Sequence, residues 1–483
     1  MTQGEQKLGL LIDGEWIDGP REHRDVVDPA TGEVIARLPL ATAADIDAAA
    51  AAAARAFRPW AERPAIERAR LLQGVAALIR RDDRRLAAIL TREQGKRLTE
   101  SLQEVHNSAD TFEWMAEEGK RVYGRTVPAR QPGFDQIVRL EPVGPVAGFA
   151  PWNFPAVLAS RKVATALAAG CTMVLKPAEE TPGIMVAIAQ LCVEAGLPRG
   201  VLNLVYGEPA EVSSRLIADP AIRKISFTGS VPVGRQLAAL AASRLKPATL
   251  ELGGHAPVIV TGDVDVEHVL DLAVAAKYRN AGQLCICPTR FFVHERIYDR
   301  FAAGFAARAA ALKVGSGFDP ATQVGPLANA RRVDAMHDFC VDAADRGARV
   351  LCGGGSPRQP GHYFAPTVLA DMTDEAQAMQ REPFGPLALL TPFATLDEAI
   401  ARANATEYGL AAYAFTRSLD EAQALEHGLQ AGNVSLNTFA LSAPEMPFAG
   451  HKSSGLGSEM GIEGLRDHLH VKAVVRAPAG AMR

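Results

Sequence analysis

A thiol, a carboxylate and an amide in this chain are of the types that together perform covalent carbonyl chemistry. Cys285 lies in the run Arg279-Asn280-Ala281-Gly282-Gln283-Leu284-Cys285-Ile286-Cys287-Pro288-Thr289-Arg290. A thiolate is a strong nucleophile, so such a cysteine is a candidate for attack on a carbonyl. Taken alone, it reads equally as a small buried hydrophobe. Glu251 stands between Leu250 and Leu252, ahead of Gly253-Gly254. A carboxylate flanked in this way can be desolvated, which raises its pKa toward neutrality and suits a general base. Alone, it is also an ordinary strand-end glutamate facing solvent. Asn153, in Pro151-Trp152-Asn153-Phe154-Pro155, offers an amide donor to a developing oxyanion. A Pro-flanked turn would hold an asparagine for local reasons as well. Cys171, Cys192, Cys340 and Cys352 have no comparable context and read as packing residues.

Positioning such groups requires a framework. Thr42 followed by Asp45 is a capping-box-like start to a helix. Ile66 to Ile79 and Leu86 to Leu98 carry further amphipathic helical patterns. From about 143 the pattern changes to strand–helix alternation. Strands are expected at Val146–Ala150, Thr172–Leu175, Val201–Tyr206, Ile222–Phe227 and Pro257–Val260, with helices between them. That alternation predicts a parallel, doubly wound α/β sheet, in which ligands bind beyond the carboxyl ends of the strands. Asn153, Lys176, Glu179, Gly207 and Ser230 each fall close to or just past such an end. A second alternating region, about 290–437, predicts another α/β domain. The stretch 124–142 and Val471 to Arg476 read as strands outside both sheets.

The chain has 483 residues, too many for one compact core, so two or three domains are expected. A net charge of -4 argues against nucleic acid or an anionic membrane as the main partner. The polar start, MTQGEQKLGL, lacks the zones of a signal peptide, and no apolar stretch is long enough to span a bilayer. Six sparse cysteines suggest a reducing compartment, and the cytoplasm is the expected location.

The cysteine run, the Glu-Leu-Gly-Gly motif, the Pro-Trp-Asn-Phe-Pro turn and Lys176-Pro177-Ala178-Glu179-Glu180-Thr181-Pro182 together resemble the aldehyde dehydrogenase superfamily. The resemblance is colinear over nearly the whole chain. It implies a Rossmann-type cofactor domain (1–123 and 143–251), a catalytic α/β domain (252–453) and a small β oligomerisation unit (124–142 and 454–483). It implies Cys285 as nucleophile, Glu251 as the base for a hydrolytic water, and Asn153 as oxyanion donor. CoA-acylating relatives generally lack that glutamate, so a free acid is the expected product.

For the cofactor, the resemblance implies contacts from Trp152, Lys176, Glu179, Gly207, Gly229, Ser230, Glu382 and Phe384. A carboxylate at Glu179 accepts both ribose hydroxyls and repels a 2′-phosphate, which favours NAD over NADP. Arg161, Arg279 and Ser442 match positions that bind the distal carboxylate in succinate-semialdehyde dehydrogenases, with Phe448 beside them. A guanidinium suits a carboxylate because it binds bidentately. α-Ketoglutaric semialdehyde dehydrogenases share the two arginines, so either semialdehyde fits. Cys287 completes a Cys-x-Cys pair that some relatives use as a reversible redox switch. A homodimer or homotetramer is implied.

Two places depart from the family pattern, Phe448-Ala449-Gly450-His451-Lys452 and Ser458-Glu459, and neither is expected to touch the nucleophile or base. His468 and His470 alternate on an expected strand, and without further ligands nearby they read as sheet packing, with no metal site.

Overall fold

The computed structural model describes residues 8–19 and 21–478. The polar start noted above lies partly outside the described residues. Five parallel strands form the middle of the first sheet, in the order Leu202–Leu204, Met173–Lys176, Val146–Phe149, Lys224–Thr228, Ala248–Glu251. Strand order reverses between Val146–Phe149 and Lys224–Thr228, so the loops after those two strands diverge and open a crevice there. The strand residues are buried, as a sheet covered by helices on both faces demands, with polar side chains such as Lys224, Ser226 and Thr228 among the apolar ones.

Both ends of this sheet are completed from elsewhere in the chain. Leu10–Ile12 pairs with Leu202–Leu204, and Gly455–Leu456 pairs antiparallel with Ala248–Glu251. The second pairing differs from the expected grouping of 454–483 as one outlying unit. Gly455 fits only because it has no side chain: a Cβ there would lie 2.7 Å from the Leu250 carbonyl.

A second sheet of seven strands holds Ala256–Val260 and Pro288–His294 side by side and in parallel. A separate three-stranded sheet joins Leu469–Arg476 to Asp135–Pro142, and that strand to Arg125–Val127, all antiparallel. The strands expected outside both main sheets therefore pair with one another. His468 lies just before the last strand, buried, with Nδ1 donating to the Gly464 carbonyl at 2.9 Å.

Helix Ala43–Ala61 starts at Thr42 with the expected reciprocal cap to Asp45. The pattern over 86–98 is interrupted: the helix ends at Gln94, Gly95 takes a left-handed φ of 90°, and a new helix runs over Leu98–Glu118. That break places Lys96 under the site described next. Among the described residues no helix is long and apolar enough to cross a membrane.

Candidate active site

Cys285 follows a tight turn and precedes strand Pro288–His294. Asn280, Ala281 and Gly282 all have left-handed backbones, with φ of 47°, 52° and 75°. Two non-glycine residues in a row with such backbones are costly, and they persist because the surroundings hold them. Asn280 N–H donates to Glu100 at 3.0 Å, Gln283 Nε2 to the Asn280 carbonyl at 3.1 Å, and Tyr413 hydroxyl to the Ile286 carbonyl at 2.7 Å. A side chain on Gly282 would strike the Gly385 carbonyl.

The Gly-Gly after Glu251 has a direct reason. A Cβ on Gly254 would collide with the Cys285 carbonyl, and one on Gly253 would lie 2.6 Å from Glu382 Oε2. The motif lets the end of the first sheet approach the cysteine loop. Cys285 is half-buried and its thiol is pushed up to about 12, first by burial and then by Glu382, with Arg161 opposing.

Glu251 is buried, and neither carboxylate oxygen has a hydrogen-bond partner. Burial and then the charge of Glu459 hold its carboxyl well above the usual range, against Lys162 and Arg161. Glu251 therefore holds its proton more tightly than an ordinary carboxyl and must lose it before it can serve as a base. The reading that Ser458-Glu459 leaves the base untouched is corrected here, because Glu459 acts on Glu251 through space. Lys162 Nζ binds Glu459 at 2.5 Å, Thr228 Oγ1 at 2.8 Å and Ser226 Oγ at 3.2 Å, all buried. This chain of groups was not foreseen from the sequence. Lys162 and Glu459 are 297 positions apart, and no local pattern joins them.

Asn153 Nδ2 donates to the Gln283 carbonyl at 3.2 Å, which leaves its second N–H for a substrate oxygen. Its backbone carbonyl is held from two sides, by Lys96 Nζ at 2.7 Å and Asn280 Nδ2 at 3.1 Å. Lys96 is paired to Glu104 at 2.5 Å and sits 3.7 Å from the centre of the Phe154 ring. Glu104 accepts from Ala156 N–H at 2.8 Å and Val157 N–H at 3.3 Å, at the start of helix Pro155–Ala169. A carboxylate there also meets the positive end of the helix dipole. Lys96 and Glu104 were likewise missed. Replacing Lys96 by methionine leaves Glu104 charged and buried without its cation. Urea unfolding should then show a loss of about 3–5 kcal/mol. An unchanged midpoint would mean that the pair does not hold this turn.

Of the residues expected at a cofactor, Trp152, Lys176, Glu179 and Gly229 line one cleft of about 950 Å³. Lys176 Nζ pairs with Glu179 at 2.6 Å, and Gly207 N–H donates to Glu179 at 3.3 Å. Ser230 is exposed at the start of helix Val231–Ala242 and makes no side-chain cap, so first-turn N–H groups remain for an anion. Phe384, with a left-handed φ of 49°, meets the Trp152 ring edge-on at 5.5 Å. Glu382 accepts from Gly254 N–H at 3.1 Å, and burial pushes its carboxyl up to about 8. A long cleft with a buried carboxylate partway and an uncapped helix start fits a dinucleotide.

Arg161, Ser442 and Phe448 come together although they are far apart in sequence. The Arg161 guanidinium donates to Ser442 Oγ at 2.7 Å and lies 5.1 Å from the centre of the Phe448 ring. Its influence on the Cys285 thiol puts it in that vicinity. The Arg279 guanidinium lies 5.4 Å from the centre of the Phe154 ring, and Arg279 lines a second hollow with Arg97 and Arg308. Cys287 is buried beside Phe154, Leu158 and Leu284, with its sulfur 3.1 Å from Lys277 Nζ.

The aldehyde dehydrogenase family model matches residues 16–474. The chain is 50% identical over 465 residues to 4-(hydroxymethyl)benzenesulfonate dehydrogenase of Comamonas testosteroni, covering 96% of this chain and 97% of that one. It is 43% identical over 463 residues to the NADP(+) succinate-semialdehyde dehydrogenase of Escherichia coli K12, covering 96% of each. The crystal structure of Staphylococcus aureus betaine aldehyde dehydrogenase in complex with NAD+ superposes with a TM-score of 0.96 at 32% identity. The match covers 98% of this chain and 96% of that one.

Proposed function

The chain belongs to the aldehyde dehydrogenase family, and from that premise we propose that it oxidises an aldehyde carrying a distal anionic group, succinate semialdehyde first, to the free acid. The observation that carries this reading is the buried Arg161 guanidinium, tied to Ser442 and stacked on Phe448 near Cys285. Among the described residues the Arg161 guanidinium hydrogen-bonds only to this neutral hydroxyl, so it has capacity for an anion, and a carboxylate supplies two acceptors. Arg279, across Phe154, adds positive field along the approach.

In the proposed sequence, the Cys285 thiolate adds to the carbonyl carbon and Asn153 Nδ2 receives the charge on oxygen. Bound NAD would accept the hydride from that carbon. Glu251, once deprotonated, takes a proton from water as it attacks the resulting thioester, and the acid leaves. Lys176, Glu179, Gly207, Gly229 and Ser230 would hold the cofactor, with Trp152, Glu382 and Phe384 around its reactive end. Glu179 accepts ribose hydroxyls and repels a 2′-phosphate, so NAD is favoured over NADP. The three-stranded sheet, with Val471 and Val475 exposed, would join copies into a homodimer or homotetramer. A reducing cytoplasm would keep all six cysteines free, as they are here.

A second reading rests on the benzenesulfonate relative. Phe154, Leu158, Leu284 and Ile286 pack into one apolar cluster, which suits a ring between the aldehyde and a sulfonate. The test compares kcat/KM for succinate semialdehyde, α-ketoglutaric semialdehyde, 4-formylbenzenesulfonate and a neutral aldehyde of similar length, with NAD and with NADP. The acids should win, and Arg161→Met should lower their kcat/KM by about 10²–10³-fold while sparing the neutral aldehyde. Equal rates for acid and neutral aldehydes would remove the anion reading.

A further inference from the structure

The cysteine pair beside the active site has a third member that the reaction does not use. Lys277 ends helix Val266–Tyr278, is fully buried, and donates to Cys287 Sγ and to the Gly385 carbonyl, each at 3.1 Å. Among the described residues these are its only hydrogen-bond partners. A buried ammonium at hydrogen-bond distance from a thiol favours the thiolate, which is the form that peroxide attacks. The nucleophile lacks this support. Burial raises both thiols above the ordinary value; at Cys285 the carboxylates of Glu382 and Glu251 add to it and Arg161 opposes, whereas at Cys287 the contact with Lys277 is the main opposing influence. Cys287 packs in the apolar cluster with Leu284 and Ile286, two residues along the chain from the half-buried Cys285.

We propose that Lys277 and Cys287 form a reversible oxidative cross-link, a modification site in which the lysine amine, rather than Cys285, captures the oxidised Cys287. The oxidant is hydrogen peroxide. The Cys287 thiolate attacks one peroxide oxygen: an S–O bond forms, the O–O bond breaks, sulfur is oxidised to a sulfenic acid and hydroxide leaves. That hydroxide takes a proton from the Lys277 ammonium and becomes water. The free amine then attacks sulfur; an S–N bond forms, the S–O bond breaks, and the departing hydroxide takes one of the two amine protons as a second water, the other staying on nitrogen. Two thiols of dithiothreitol reverse the link, returning cysteine and amine and closing their own disulfide. The lysine needs little movement, since its nitrogen already touches the sulfur. It also ties the end of helix Val266–Tyr278 to the catalytic loop.

The test needs no turnover, so it stands apart from the substrate reading. Native enzyme is treated with hydrogen peroxide, free thiols are alkylated, and the protein is digested with trypsin for mass mapping. The expected product is the peptide ending at Arg279, uncleaved at Lys277, joined to peptide 280–290 and lighter than their sum by two hydrogens. Dithiothreitol should split it. It should persist in Cys285→Ala and vanish in Cys287→Ala. An internal disulfide within peptide 280–290, or an alkylated Cys287 beside an oxidised Cys285, overturns the proposal. Should a variant fail to fold, the wild-type map alone decides.

Discussion

Replacing Cys285 by alanine is expected to lower kcat/KM for every aldehyde by about 10⁴-fold or more, because no covalent intermediate can form without it. The fold should survive, since the thiol is half-buried, free, and small. Cys287 cannot take over. Its sulfur is buried and within hydrogen-bond reach of Lys277 Nζ and of the carbonyl of the next residue, Pro288. The measurement is NADH formation by a variant whose circular dichroism and unfolding midpoint match wild type. A loss of less than about tenfold would move the nucleophile elsewhere.

Glu251→Gln is the second large effect, and it separates the two halves of the reaction. The amide fills the same buried space but takes no proton, so hydrolysis should slow by about 10²–10⁴-fold. Acylation precedes that step. The expected trace is therefore a burst of NADH close to one equivalent per subunit, followed by near-arrest, read by stopped flow. A steady slow rate with no burst would place Glu251 in the first half instead.

The pH dependence of the wild type follows from the same groups. Glu251 and Cys285 both act deprotonated, and both are held above their ordinary values, chiefly by burial. A raised pKa keeps the inactive, protonated form to higher pH, so kcat should climb from neutral into alkaline solution. Removing Glu251 should abolish its share of that rise.

Much of this site follows from local pattern. The strand ends carrying Lys176 and Gly229 are visible in alternation alone, because buried parallel strands are short apolar runs bounded by turns. The thiol, the base and the amide stand out because residue type and neighbours agree. What supports them does not. Lys96 follows a glycine that breaks an otherwise continuous helical pattern, and it reaches Asn153 across 57 positions. Glu459 meets Lys162 only because strand Gly455–Leu456 returns to the edge of the first sheet. Arg161 and Ser442 are 281 positions apart. Such pairs are set by topology, and a single sequence carries no period that reveals them. Arg279, which the resemblance implies as a substrate contact together with Arg161, lies against Phe154, another contact distant in sequence that no local pattern reveals.

The most direct test is to trap the acyl-enzyme. Glu251→Gln is mixed with NAD and succinate semialdehyde, acid-quenched at the end of the burst, and its peptides are weighed. A succinyl thioester on Cys285, in amount equal to the NADH released, is the predicted result. NADH release with no adduct, or an adduct on any other residue, would contradict the account.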